Sequence, residues 1–421
     1  MSLFRRFDRL FVAALYVSAL FAGACSVDPT APGRPPAELT ALPRALTAAE
    51  QKVIDASNAF SFALWTRLNA AQPGTSIFVS PLSASFSLGM TLNGAANQTA
   101  TEMRAALAFG GASQQEINEG YRSLIALLMS LDPAVTMQIA NSIWYRNTFP
   151  FHQAFLDGSR TYFDAEVRGL NFADVPGSLA AINGWVNAKT SSRIPSILTA
   201  IGDDDVMFLI NAIYFNGRWR ERFDPAETRD TLFYGSGGSA QSVRMMHHRG
   251  TMPYAWAPMY EAVDLLYGNA AFSMTVVLPR PGANVETLAA SMTPETWRAL
   301  TSSLQATEVD LSLPRLQFVY ERKLNADLDS LGMHLPFVPW MADFTGMSPL
   351  GRDLFISFVK QKTFVKIDEE GTEAAAVTVT GITTVGSTVS PTVRLDRPYL
   401  FVLRERLSGT VLFMGKIVRM P

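Results

Sequence analysis

Behind Thr47-Ala-Ala-Glu50, apolar residues fall at Val53, Ile54, Ala56, Phe60, Ala63, Leu64 and Leu68. Steps of three and four place them on one side of a helix. Thr47 and Glu50 form a capping box at its start. Ser80-Pro81 predicts a second helix, with serine as cap and proline in the first turn. Its body, Leu82 to Leu92, is apolar nearly all round and so belongs inside the fold. Thr99-Ala-Thr-Glu102 predicts the start of a third helix. Further helices are expected over 117–131, 151–163 and 176–190. Residues 137–145 read as a strand. Val206-Met-Phe-Leu-Ile-Asn-Ala-Ile-Tyr-Phe215 is a continuous apolar run that suits a central strand or a buried helix. Its β-branched and aromatic content, with an Asn216-Gly217 stop, favours the strand. Residues 273–278, 309–320 and 354–367 are further strands. Helices gather early and strands late, without a βαβ rhythm, so the fold class is α+β.

Composition narrows the class. The chain has 421 residues, 48% hydrophobic and 17% charged, with net charge −2. That is a folded chain with a large core. The charge balance gives no support to nucleic-acid binding; the densest basic cluster, Arg218, Arg220 and Arg222, reads as a solvated face. Residues 1–24 carry Arg5, Arg6 and Arg9, then an apolar run from Phe11 too short for a span of ~20 residues. Ala22-Gly-Ala24 then supplies small residues. This is a signal segment, and Cys25 just after it resembles the lipidated cysteine of a bacterial lipoprotein. Simple secretion is the other outcome. Cys25 is the only cysteine, so no internal disulfide forms. Residues 25–46, with Pro29, Pro32, Pro35, Pro36 and Pro43, read as a semi-extended tether to a domain over 47–421. The expected location is the cell envelope or beyond, with membrane contact only through Cys25.

No Gly-x-Ser-x-Gly elbow, phosphate loop or His-Glu-x-x-His is present. His247-His248 suggests a metal, but neighbours on a strand point to opposite faces, and a solvated turn is the better reading. No enzyme, cofactor or metal is expected.

The stretch 369–393 is the most informative. Glu369-Glu-Gly-Thr-Glu373 leads into twenty uncharged residues, Ala374 to Val393, dominated by Val and Thr. Both favour strands, yet no large apolar anchor follows, and no proline precedes Pro391. The segment is fit to enter a sheet without living there. Leu354 to Ile367 precedes it; Asp396-Arg-Pro-Tyr-Leu-Phe401 and Leu412-Phe-Met-Gly-Lys416 follow.

This succession resembles the C-terminal third of the serpins, the serine protease inhibitor family. Glu369, Glu370, Gly371, Thr372, Glu373, Ala374, Ala375 and Ala376 match the serpin hinge. Ser80-Pro-Leu-Ser83, Asn211-Ala-Ile-Tyr-Phe-Asn-Gly-Arg-Trp219, Leu331-Gly-Met333 and Ala342-Asp-Phe-Thr-Gly-Met347 look like family motifs in family order, from about Asn58 to Pro421. The resemblance implies a serpin fold: a large, mostly antiparallel central sheet, two smaller sheets, eight or nine helices and an exposed reactive loop over 369–393. It implies a monomer that traps a serine protease as a suicide substrate, its cut loop inserting into the central sheet. With Thr372 inward, Ala374, Ala376, Thr378, Thr380 and Ile382 also face inward by the period of two; all are uncharged and small or β-branched. Trp219, Arg315 and Glu369 fall where the family guards the top of that sheet, with a Glu369–Arg315 pair expected. Ser80, Ser83 and Asn211 fall where it controls the middle, with Gln361 in place of the usual histidine. Counting from Glu369 puts the reactive bond at Val385-Gly386; the return from Val393 also admits Gly386 or Ser387. The loop carries no Lys, Arg, Phe, Tyr, Leu or Met from Ala374 to Val393, which points to an elastase-like target. The alternatives are a non-inhibitory binding protein of the same fold, an inhibitor of cysteine proteases, and an unrelated secreted hydrolase.

Overall fold

The computed structural model describes residues 36–372 and 390–421. The signal segment, Cys25, Glu373 to Ala376 and Val385-Gly386 lie outside the described residues. Nine α-helices occur among the described ones: α1 (Ala48–Ala71), α2 (Pro81–Leu92), α3 (Asn97–Ala106), α4 (Gln114–Ser130), α5 (Gln153–Phe163), α6 (Val175–Lys189), α7 (Val285–Ser291), α8 (Pro294–Ser303) and α9 (Asn325–Asp329). The strands are β1 (Ile77–Val79), β2 (Val135–Arg146), β3 (Glu166–Leu170), β4 (Met207–Arg218), β5 (Arg229–Tyr234), β6 (Ala240–Trp256), β7 (Tyr260–Leu266) and β8 (Phe272–Pro279). After these come β9 (Gln305–Pro314), β10 (Leu316–Lys323), β11 (Lys360–Ile367), β12 (Gly371–Thr372), β13 (Thr392–Arg394), β14 (Tyr399–Glu405) and β15 (Val411–Ile417).

The fold is α+β, with one large sheet and two smaller ones. The largest has nine strands in the order β1-β15-β14-β8-β7-β6-β9-β13, with β5 on β6. A four-stranded sheet runs β12-β4-β2-β3, and β10 pairs with β11 alone. Pairing is antiparallel except for β2–β3 and β9–β13. The capping boxes of α1 and the serine cap of α2 form as their local hydrogen bonds require. α2 is buried almost throughout, packed among α1, β4 and β15. A second, smaller core of Trp144, Ile182, Val186, Phe208 and Ile210 forms where α6 packs on β2 and β4.

Several expectations change. α3 begins at Asn97, and Thr99 is not its cap: the Thr99 hydroxyl accepts from Asp343 N–H at 2.9 Å. The strand expected over 309–320 is two strands in different sheets. The chain turns at Arg315, whose N–H bonds Arg244 O at 2.8 Å. Residues 354–359 form no strand; Ile356 N–H is held by Pro336 O instead, and β11 starts at Lys360. His247-His248 is no turn, since both lie within β6. One face of β6 is open to solvent, so polar residues need not end it. The Asn216-Gly217 stop is inside β4. A Cβ at Gly217 would come within 2.7 Å of the Tyr267 ring, so packing explains this glycine. Finally, residues 36–46 already lie on the body: Arg220 donates to Pro36 O and Leu39 N–H to Asn269 O, each at 2.7 Å.

Candidate functional site

β11 ends at Ile367, and the chain reaches β12 through Asp368, Glu369 and Glu370. β12 then pairs with the top of β4, Gly371 beside Arg218 and Thr372 beside Gly217. The approach is close enough that a Cβ on Gly371 would lie 2.1 Å from Gly217 O, so only glycine fits. Thr372 is 3% exposed. Its hydroxyl shares a 2.7 Å hydrogen bond with the Tyr267 hydroxyl, which burial keeps protonated by raising its pKa. The Tyr267 ring stacks on Trp219 with centroids 4.5 Å apart.

Trp219 holds the approach to β12 at two points. Its ring N–H donates to Asp368 O at 2.8 Å and its backbone N–H to Glu370 O at 2.9 Å. Phe223 N–H donates to Glu369 O at 3.1 Å. The Glu369 side chain is a buried charge with its partners in place. Arg315 donates through Nε at 2.8 Å and lies 2.7 Å away through its terminal nitrogen; the Thr228 hydroxyl donates at 2.5 Å. Burial opposes ionisation of Glu369. Arg315 and Thr228 outweigh it and hold the carboxyl below the ordinary range. Arg222 pairs with Glu370 at 3.2 Å. The expected Glu369–Arg315 pair is therefore present, and Trp219 stands beside it.

The middle of the sheet is tied by a second group. Ser80, the cap of α2, donates its hydroxyl to Leu412 O on β15 at 2.8 Å. Gln361 on β11 accepts from Ser80 N–H at 2.8 Å and donates to Ser80 O at 2.7 Å. An amide carries donor and acceptor at one end, so it clamps a peptide as a neighbouring strand would. An imidazole carries them on opposite sides of its ring. Ser83 Oγ donates to Asn211 Oδ1; Asn211 donates to Asn141 at 2.5 Å, and Asn141 to Phe163 O at 2.7 Å. This chain links α2 to β4, β2 and the end of α5.

Between these two groups the sheet is open. Among the described residues, β4 and β11 share no ladder. On the side where β12 begins, β4 pairs only at Gly217 and Arg218. A cavity of ≈ 150 Å³ lies below, lined by Ser83, Leu88, Met207, Asn211, Phe358 and Gln361 among others.

The structure thus gathers Trp219, Arg315 and Glu369 at the top, and Ser80, Ser83, Asn211 and Gln361 in the middle. Sequence reasoning missed Tyr267 and gave no role to Thr228. The one available signal is Tyr267-Gly268 directly after the largely buried run of β7. Among the described residues, no group of three His, Cys, Asp or Glu side chains is placed to hold a metal.

A family model described as "Serpin (serine protease inhibitor)" matches residues 55–420. The chain is 31% identical over 377 residues to the leukocyte elastase inhibitor of Equus caballus, covering 87% of this chain and 99% of that protein. The native-state structure of the thermophilic serpin tengpin superposes with a TM-score of 0.81 at 30% identity, covering 90% of this chain and 96% of that one. Human thyroxine-binding globulin, solved with its hormone, gives 0.80 at 27% identity, covering 89% and 100%. The family match over residues 55–420 and a relative 31% identical over 87% of this chain lead to one conclusion: the chain belongs to the serpin family.

Proposed function

We propose that this serpin inhibits serine proteases of elastase type as a suicide substrate. The observation that carries the reading is Thr372, buried and bonded to Tyr267 as the second residue of a strand with open space below it. A protease serine would attack the Val385 carbonyl, the Gly386 nitrogen would leave with a proton, and an ester would remain. The freed segment would then continue β12 down the edge of β4. Ala374, Ala376, Thr378, Thr380 and Ile382 would follow Thr372 inward, and none is charged. Each ladder hydrogen bond contributes ~0.5–1.5 kcal/mol net, so a dozen or so would drive insertion. The uncut state is then held kinetically, by the ties at Glu369, Trp219 and Gln361.

The target class follows from the loop. Val385 and its neighbours Thr383 and Thr384 fit a small, shallow pocket, and no Lys or Arg between Glu373 and Arg394 meets a buried acid. One relative is itself named as a leukocyte elastase inhibitor. Mixing the domain with pancreatic elastase, neutrophil elastase and trypsin should give an SDS-resistant complex with an elastase, and a loop fragment beginning at Gly386 or within one residue of it. Rapid trapping of trypsin with elastase ignored would sink the specificity. Cleavage without any complex would fit a non-inhibitory binding protein instead.

A further inference from the structure

His247 and His248 stand side by side on β6, and their rings leave opposite faces. The His247 ring lies between two carboxylates. Its Nδ1 is 3.0 Å from Glu227 Oε2 and its Nε2 is 2.9 Å from Asp310 Oδ1. Ionised carboxylates only accept hydrogen bonds, so both contacts need a ring N–H. A neutral imidazole has one, and the imidazolium has two. The geometry therefore suits the charged ring, and loss of the proton must cost one of the two bonds.

What makes the pair notable is where the carboxylates sit. Glu227 ends the short 3-10 turn Pro225–Glu227, and the next residue, Thr228, gives its hydroxyl to Glu369. Asp310 is on β9, where its N–H bonds Pro391 O at 3.0 Å and its backbone pairs with Thr392 of β13. One ring thus joins the element that holds the chain entering 373–389 to the element that holds the chain leaving it.

We propose that His247 is a positioning residue that ties the two roots of the reactive loop together when charged and loosens them when neutral. The proposal rests on reading 369–393 as the reactive loop. Hydrogen bonding to Glu227 is the largest influence on the ring; partial burial opposes it and Asp310 adds to it, leaving the pKa above the ordinary 6.5. A raised pKa means the stabilisation is complete below about pH 6.5 and is lost as pH rises through the higher folded value. The surrounding charges are otherwise engaged. On β9, Glu308 pairs with Arg249 of β6 at 2.9 Å. On β5, Asp230 pairs with Arg244 of β6 at 3.6 Å, and Arg229 donates to Thr228 O. Glu221 faces His248 on the opposite side at 3.4 Å. α8 leads into β9 at Gln305, beside Tyr254 at the far end of β6.

The test is hydrogen exchange of the whole chain, expressed as protection factors so that intrinsic pH dependence is removed. Amides of 369–372 and 392–394 are followed between about pH 6 and about pH 8.5. In the unaltered protein their protection should fall severalfold as the ring loses its proton. In His247→Gln it should be flat and low, and in His247→Lys flat and higher. The same fall in His247→Gln would overturn the proposal. Should that variant not fold, NMR titration of the His247 ring decides: its midpoint must drop in Glu227→Gln, and an unchanged midpoint overturns the tie. A positive exchange result without any trapped protease would leave the tie standing and remove the inhibitory reading.

Discussion

Thr372→Arg is expected to abolish trapping and leave the proposed inhibitor a plain substrate. Thr372 is buried against Tyr267 beneath the stacked Trp219 ring, with Gly217 as its strand partner. An arginine there meets the Tyr267 ring and its hydroxyl, where the threonine makes a single neutral hydrogen bond. An unpaired buried charge costs several kcal/mol. Because Thr372 is already seated in the uncut chain, the arginine is expelled from this site, and driving it back in becomes a step of insertion, which must outrun hydrolysis of the ester. Each ~1.4 kcal/mol is a factor of ten in rate, so the partition should shift about a hundredfold or more. Cleavage of the loop should stay fast while the SDS-resistant complex falls to a few per cent. Thr372→Val separates size from charge. It removes only the Tyr267 hydrogen bond, worth ~1 kcal/mol, and should still trap protease. Undiminished complex yield from Thr372→Arg would show that trapping does not depend on keeping this residue seated beside Gly217.

Glu369→Lys will open the top of the sheet and produce loop-to-sheet polymers on warming. The carboxylate is 4% exposed and collects Arg315 and Thr228 on one oxygen. A lysine places a second cation beside the guanidinium and strands the threonine hydroxyl. Breaking a fully buried pair costs ~3–5 kcal/mol. The Arg315 side chain is 43% exposed, so solvent screens part of this and the lower end applies. Even that speeds opening about a hundredfold. Glu369→Gln keeps the shape and loses the charge, and should fall between. The sign of the pH effect follows as well. The Glu369 pKa is lowered in the fold, so its stabilisation is present above the ordinary 4.5 and is lost as pH falls through the lower folded value. Polymer growth, followed by native gels or light scattering, should therefore rise in mild acid below about pH 4.5 in the unaltered protein. It should lose that dependence in Glu369→Lys. A monomeric variant after prolonged warming would refute the role of this pair.

What the sequence made legible divides by the range of the forces involved. The Thr47–Glu50 box and Ser80-Pro81 were readable because each element start is settled by hydrogen bonds within a few residues. The Glu369–Arg315 pair and the positions of Trp219, Ser80, Ser83, Asn211 and Gln361 came through family motifs, since nothing local marks them. Tyr267 was missed because its partner is Thr372, far along the chain on another strand. The strand break at Arg315 left a faint mark: apolar positions are odd up to Leu313 and even from Leu316, with Pro314 between. What turns the chain is a bond to Arg244 O and the reach of the side chain to Glu369. His247-His248 reads as a turn by polarity, but a ladder with β9 from Met245 to Tyr254 makes it strand. Gln361 shows the converse. Its residue type departs from the histidine usual in the family, and its amide closes two bonds on Ser80.

The central claim is that a cut loop becomes a new strand between β4 and β11. The most direct measurement is the thermal transition of the protein before and after a single cut within 377–389, made by any protease that leaves the body intact. A dozen new ladder bonds at ~0.5–1.5 kcal/mol each would raise the transition by roughly 10–20 °C, with both fragments remaining associated. An unchanged or lowered transition after complete cleavage would mean that the slot beside β4 stays empty, and the trap would have no mechanism.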